Sequence, residues 1–383
     1  MASTHKDNNC DFGFFSFFTG AGFLDLGFED AGFKAYLANE IDPSFARVYR
    51  YSRSCMNKPL PVYGLQEGNV CDYVSDEKTA NELRRKIAEA RKQVKFIGFV
   101  GGPPCPDFSV GNANAKGEKG DRGKLTKVYV DLICEQSPDF FVLENVKGLL
   151  STAKHRAFFN RMVKKLHRFS YATTFRLINA LEYGTAQDRQ RVILIGIKLP
   201  LCATHVDAKN GTIADFPWNK FVRFNMDDVQ KVDWPTTDGF REEGARPMPK
   251  GIIEELTVQH WFEKNDVEHH PNARDYFTPR AGLAKMRLYA EGDDSKKCYK
   301  RIHRWRYSPT ACYGNNEVHL HPYKARRLSV AETLAIQSLP KTFALPEDIT
   351  LSAKFKTIGN GVPYMAALGV AKSLKKFLLE IAK

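Results

Sequence analysis

Over roughly the first half of the chain, continuous apolar runs alternate with segments whose apolar positions recur every three or four residues. Residues 12–20 (FGFFSFFTG) form such a run, closed by glycine, as expected of a strand buried on both faces. Residues 22–32 (GFLDLGFEDAG) switch to helical spacing, with Phe23, Leu26 and Gly27 on one face and Gly32 as the stop. The alternation continues with a strand over 34–42, a helix begun by Pro43, a charged amphipathic helix over 77–93 and a strand over 94–102. A helix over 127–136, a strand over 139–146, a helix over 155–169 and strands over 173–184 and 191–198 complete it. Strand–helix–strand order of this kind predicts an open parallel sheet with helices on both faces.

Beyond residue 200 the periodicity weakens, Pro, Gly and Asp recur, and aromatic residues interleave with charged ones. Helical spacing returns at 329–339 and 362–383. The expected organisation is a first unit over 1–199, a loop-rich module over 200–327 and a C-terminal segment over 328–383.

The 383 residues carry 57 basic and 44 acidic side chains, a net charge of +13. That balance favours a polyanionic partner, because Lys and Arg neutralising phosphate supply most non-specific nucleic-acid affinity. The cysteines at 10, 55, 71, 105, 134, 202, 298 and 312 form no CxxC pair and no zinc-type spacing, so no metal site is expected. The N-terminus is polar and no apolar stretch reaches the ~18 residues of a membrane span. A reduced, cytoplasmic protein is expected.

Five stretches carry chemistry. FTGAGF places Gly20 and Gly22 between a strand and a helix, where open α/β sheets bind nucleotide-like ligands, and Glu40 ends the next strand within reach of ribose hydroxyls. A plain tight turn is the alternative. FVGGPPCPDFSVGN surrounds Cys105 with Pro103, Pro104 and Pro106, which stiffen the backbone and aim the thiol. The small, glycine-rich residues 109–123 that follow suit a lid. Such a cysteine is either a nucleophile or an inert loop residue. FVLENVKGL brings Glu144 and Asn145 to the same sheet edge, as an acid or as a helix cap. QDRQR sets Arg189 and Arg191 two apart, on one face of a strand start, for anionic oxygens or for solvent. TIGNGVP precedes the last helix, and Asn360 closes the pocket if the chain returns there.

One reaction asks for these groups together. C5 of cytosine becomes nucleophilic once a thiolate adds at C6, a carboxylic acid opposite N3 assists that addition, and the base must leave the duplex stack. In this order the five stretches resemble the DNA (cytosine-5)-methyltransferases, over nearly the whole chain except the middle module. The resemblance implies a Rossmann-like, class I S-adenosylmethionine-dependent methyltransferase sheet with a smaller, loop-rich target-recognition domain. It implies S-adenosylmethionine held by Phe18, Gly20, Gly22, Glu40, Ile41, Asn69, Leu125 and Asn360. Cys105 would attack C6, Glu144 would face N3, and Arg189 and Arg191 would lie close by, the latter near O2. The partner implied is double-stranded DNA, bound by a monomer in the setting of a restriction-modification system, with a cognate restriction endonuclease acting on the same site.

Two positions depart from the family pattern. Gly68-Asn69 replaces Gly-Asp, leaving an amide carbonyl to meet the adenine amino group, and Pro106 replaces a common glutamine. DNA contacts are expected from Ser109, from Thr310 at the target phosphate, and from the strip KKCYKRIHRWRYS (296–308), through Lys297, Arg301, Arg304, Trp305 and Arg306. A solvated charged face is the alternative for that strip. An RNA cytosine methyltransferase of the same fold and a non-catalytic DNA-binding module are the rival readings of the whole chain. The size of the middle module favours DNA over RNA, and the presence of Cys105 and Glu144 speaks against loss of catalysis.

Overall fold

The computed structural model describes residues 11–104, 123–295, 298–310 and 318–383. Nine strands form one sheet. They are β1 (Phe12–Phe17), β2 (Lys34–Glu40), β3 (Leu65–Glu67), β4 (Phe96–Gly101), β5 (Phe140–Val146), β6 (Tyr171–Asn179), β7 (Gln190–Lys198), β8 (Val206–Asp207) and β9 (Thr212–Ile213). Their order is β3-β2-β1-β4-β5-β7-β6-β9-β8. The helices between them are α1 (Phe23–Asp30), α2 (Pro43–Cys55), α3 (Asp72–Ser75), α4 (Glu77–Ala90), α5 (Gly123–Gln136), α6 (Ala153–Arg168) and α7 (Leu199–Cys202). Among the described residues, no helix is long and apolar enough to cross a membrane.

The core follows from the alternation of side chains along each strand. Phe14 of β1 faces one side of the sheet with Phe28, Val370 and Phe377, under α1 and the last helix. Phe15 and Phe17 face the other side with Leu83, Phe99, Tyr129 and Phe141, under α4 and α5. All six residues of β1 are buried, which accounts for the uninterrupted apolar run.

The sheet is not wholly parallel, contrary to expectation. β7 runs antiparallel to both β5 and β6. Residues 180–189 between β6 and β7 hold only a 3-10 turn (Ala180–Tyr183) and a short loop. That is too little chain for the crossover that a parallel neighbour requires. The expected boundary at residue 200 is also too early. β8 and β9 extend the same sheet, and Phe216 packs on Phe377 with ring centroids 5.5 Å apart.

The middle module holds α8 (Met226–Lys231), α9 (Val258–Lys264), α10 (Leu283–Met286) and a two-residue pairing of β10 (Lys300–Arg301) with β11 (His319–Leu320). α11 (Val330–Ile336), expected in the C-terminal segment, shares a core with this module, its Ala331, Ala335 and Ile336 meeting Val258, Trp261 and Phe262. The chain then returns to the sheet through α12 (Leu351–Asn360) and α13 (Tyr364–Ile381). α12 was not foreseen. Asn360 is its last residue rather than part of a free turn.

Candidate active site and cofactor pocket

A cavity of about 840 Å³ opens at the carboxyl ends of β1, β2, β4 and β5, the edge where such sheets bind ligands. The β1–α1 loop, Glu40, the start of the proline loop, Glu144 and the end of α12 all line it.

The loop is shaped by its backbone. Phe18, Gly20 and Gly22 lie in the left-handed region at φ of 55°, 58° and 82°. At Gly22 a Cβ would sit 2.6 Å from the Tyr49 ring, so only glycine fits. Glu40, at the end of β2, fastens this loop. Its Oε2 accepts from the Gly20 amide at 2.8 Å, and its Oε1 accepts from the Ile41 and Asp42 amides at 2.9 and 2.8 Å. Burial pushes the Glu40 carboxyl up, and the three backbone donors act against that shift.

Ile41 beside it is 62% exposed at the cavity wall, an apolar surface suited to the face of a purine. Asn39 ties β2 to the next loop, donating to the carbonyls of Gln66 at 3.2 Å and Gly68 at 3.1 Å. Asn69 is exposed at the cavity, and its Oδ1 already accepts from the Cys71 amide at 3.0 Å. Leu125 and Asn360 also line the wall. Gly361 follows Asn360 tightly packed, since a Cβ there would lie 2.1 Å from the Phe23 ring.

The reactive edge lies in the same cavity. β5 and β7 pair Val146 with Arg191, which puts Glu144 two residues away on the same face. Arg191 Nε meets Glu144 Oε1 at 2.9 Å. Glu144 is 8% exposed. Burial raises its carboxyl above the ordinary glutamate value, with Arg191 and Arg189 opposing that rise. Gly102 makes room for it, because a Cβ there would stand 2.7 Å from Glu144 Oε2.

Arg189 is anchored differently from Arg191. It precedes β7, is 2% exposed, and donates through Nη2 to the Gly359 carbonyl at 2.7 Å. It thereby joins this edge to α12. Pro103 and Pro104 line the cavity and lead toward Cys105, which with Ser109 and Pro106 lies outside the described residues. Thr310 also lines the cavity, its Oγ1 donating to the Asp188 carbonyl.

The basic strip divides. Arg301 is fully buried, and its guanidinium donates to the carbonyls of Tyr289 (2.9 Å), Met286 (2.6 Å), Lys324 (3.1 Å) and His321. Arg304 is 5% exposed and grips Glu291 with two bonds, at 2.7 and 2.9 Å. Neither reaches a phosphate as expected, because each satisfies an interior acceptor instead. Trp305 is half-buried, with Nε1 donating to the Arg246 carbonyl at 2.9 Å. Arg306 is half-buried, 3.7 Å from Asp294. Lys297 lies outside the described residues. Sequence reading also passed over Asp25, which lines the cavity one helical turn after the glycine loop. The only available signal was an acid inside an otherwise apolar helix face.

The family model for C-5 cytosine-specific DNA methylases matches residues 12–376. A Type II methyltransferase of Neisseria meningitidis serogroup C, M.NmeDI, is 54% identical over 366 residues, covering 95% of this chain and 83% of the relative. M.FnuDI, a Type II methyltransferase of Fusobacterium nucleatum, is 27% identical over 379 residues, with 96% and 95% covered. Among solved structures, a protein encoded within an E. coli prophage superposes with a TM-score of 0.63 at 20% identity, covering 96% of this chain and 99% of that one. That likeness bears on the fold.

Proposed function

The chain belongs to the C-5 cytosine-specific DNA methylases, and on that premise we propose how its own residues carry the reaction. Cys105 adds through its thiolate to C6 of a cytosine turned out of duplex DNA, while Glu144 gives a proton to N3. The C5 carbon of the resulting adduct accepts the methyl group. Loss of the C5 proton to solvent, with the N3 proton returning to Glu144, then expels the thiolate and restores the aromatic ring. Arg191 holds Glu144 in place and faces O2. S-adenosylmethionine supplies the methyl group.

The observation that carries this reading is the juxtaposition in one cavity. Glu144, a buried acid with a raised pKa, and the Pro103–Pro104 approach to Cys105 sit beside a left-handed glycine loop. The cofactor fits the residues present. Glu40 keeps lone pairs for ribose hydroxyls, exposed Ile41 offers an apolar face to adenine, and Gly20, Asn69, Leu125 and Asn360 complete the wall. The Asn69 carbonyl retains a second lone pair for the adenine amino group. Thr310, Trp305 and Arg306, with Ser109 and Lys297, are the DNA-contact residues of this reading. Its wider setting is a cytoplasmic, monomeric modification enzyme of a Type II restriction-modification system, sharing its site with a cognate endonuclease.

The test is bisulfite sequencing of DNA from cells expressing the protein, beside methyl incorporation into duplex DNA and transfer RNA in vitro. Methylated cytosines at one recurring sequence are expected, lost in Cys105→Ser because an alcohol is far less ionised than a thiol. A duplex carrying 5-fluorocytosine at that site should trap a covalent adduct. Incorporation into transfer RNA alone, or full activity in Cys105→Ser, would overturn the reading.

A further inference from the structure

Asp25, in the first turn of α1, is 1% exposed yet forms part of the cavity wall. Its Oδ1 accepts from Ser16 Oγ at 2.6 Å, and its Oδ2 accepts from Thr19 Oγ1 at 2.5 Å and from the Tyr49 hydroxyl at 3.2 Å. Every donor is a neutral hydroxyl. The nearby cation, Arg53, is committed elsewhere. It meets both oxygens of Glu29, at 2.6 and 2.8 Å, and touches the Tyr49 hydroxyl at 3.3 Å. It therefore reaches Asp25 only through Tyr49. The other groups facing Asp25 are Glu29 on its own helix, a like charge, and the Tyr129 hydroxyl of α5. Among the described residues no ion pair relieves this carboxylate, although buried charges are ordinarily paired.

The expected occupant of the cavity carries what is missing. S-adenosylmethionine has a sulfonium centre as well as an ammonium group, whereas the product left after methyl transfer keeps the ammonium but has a neutral thioether sulfur. We propose that Asp25 is the counter-charge for the sulfonium centre of the cofactor, so that the pocket favours S-adenosylmethionine over S-adenosylhomocysteine and releases the spent form. This rests on the cofactor reading above. Glu40 cannot supply the same discrimination, since its oxygens hold the Gly20, Ile41 and Asp42 amides at the ribose end, which both molecules share. Burial pushes the Asp25 carboxyl up to about 6, so a cation beside it also draws off a proton near that pH.

The test is isothermal titration of the full chain with S-adenosylmethionine, S-adenosylhomocysteine and an analogue bearing an amine in place of the sulfonium. In the wild type, affinity for the two cationic ligands should fall by about tenfold from about pH 7.5 to about pH 5, with that for the thioether changing far less. Asp25→Asn should weaken the cationic ligands by about tenfold at the higher pH and abolish their pH dependence, its fold checked by circular dichroism and thermal melting. Equal losses for the sulfonium and thioether forms, or a pH dependence that survives the substitution, would overturn the proposal. Should Asp25→Asn not fold, equal pH profiles for the two forms in the wild type would overturn it. A wild-type protein that binds none of the three ligands contradicts the cofactor reading instead.

Discussion

At the scale of single residues, the site depends on side chains kept where burial opposes their charge. Glu144 is held up as an acid by its surroundings and held in place by Arg191. Glu144→Gln, which cannot deliver a proton, should lower kcat by at least ~100-fold while cofactor binding stays unchanged in titration. Gly102→Ala tests the same position from outside. Its Cβ meets only the Oε2 end of Glu144, so the fold should survive with its melting temperature little changed. The carboxylate must nevertheless swing away from Arg191, and kcat should fall by ~10-fold or more. Unchanged turnover in Gly102→Ala would mean that the observed Glu144 rotamer is not the working one. Asp25 makes a different prediction, about stability. Its pKa is raised from 3.8 to about 6 by burial. The stability that comes from burying it protonated is fully present below about pH 3.8, fades as pH rises through about 6, and is absent above that. Roughly two units correspond to about 3 kcal/mol. Thermal melts of Asp25→Asn and wild type should therefore converge at acid pH and separate above pH 6, with the variant no less stable there.

At the scale of elements, α1 and α13 lie together across one face of the sheet. The contact is made at Gly27, where a Cβ would fall 2.6 Å from Ala367 Cβ and 2.7 Å from the Leu368 amide nitrogen. On an isolated helix Gly27→Ala would gain up to ~1 kcal/mol of propensity. Here backbone has to move, and overpacking typically costs ~1–3 kcal/mol. The second effect should win, so Gly27→Ala should lower the midpoint in urea. A rise would show that the two helices part without cost. The helical period placed Gly27 on the packed face, but only the approach of α13 explains why nothing larger is tolerated there. The antiparallel β7 has a similar origin. Its residues read as a buried strand from their composition, whereas its direction was set by the short chain back to β6. That hairpin is what brings Arg191 beside Glu144.

At the scale of the whole molecule, the middle module is joined to the catalytic unit at more than one seam. Asn272 bonds the backbone of Leu345 in both directions, and the Lys354 ammonium reaches Asp275 at 2.6 Å. The cations of that module therefore fall into two groups that substitution should separate. Arg304→Ala would leave fully buried Glu291 with only Arg246, at 3.4 Å, and the residue-304 amide, and should cost roughly 3 kcal/mol of stability, the low end for a broken buried pair. Arg306→Ala should leave folding nearly unchanged and flatten the slope of log K against log salt by about 0.9 for a lost phosphate contact. Titration of a duplex at several salt concentrations beside chemical denaturation distinguishes these outcomes. A normal melting curve for Arg304→Ala would contradict its structural role. The chemistry of this protein was readable from its order of residues alone. The glycine loop, the proline-flanked cysteine, Glu144 and the paired arginines are local patterns, each needing only its neighbours in the chain to make sense. The strand and helix sequence was readable for the same reason, because burial imposes its period on a short segment. Only the tertiary structure decided which charges are spent inside. Arg301 and Arg306 stand in one basic run, yet one is walled in by carbonyls from four distant residues and the other reaches the surface. Asp25 is set apart by the same cause, since its want of a cation depends on Arg53 having been taken by Glu29. Whether a charge is paired is a property of what folds against it, and that lies outside its own stretch of chain.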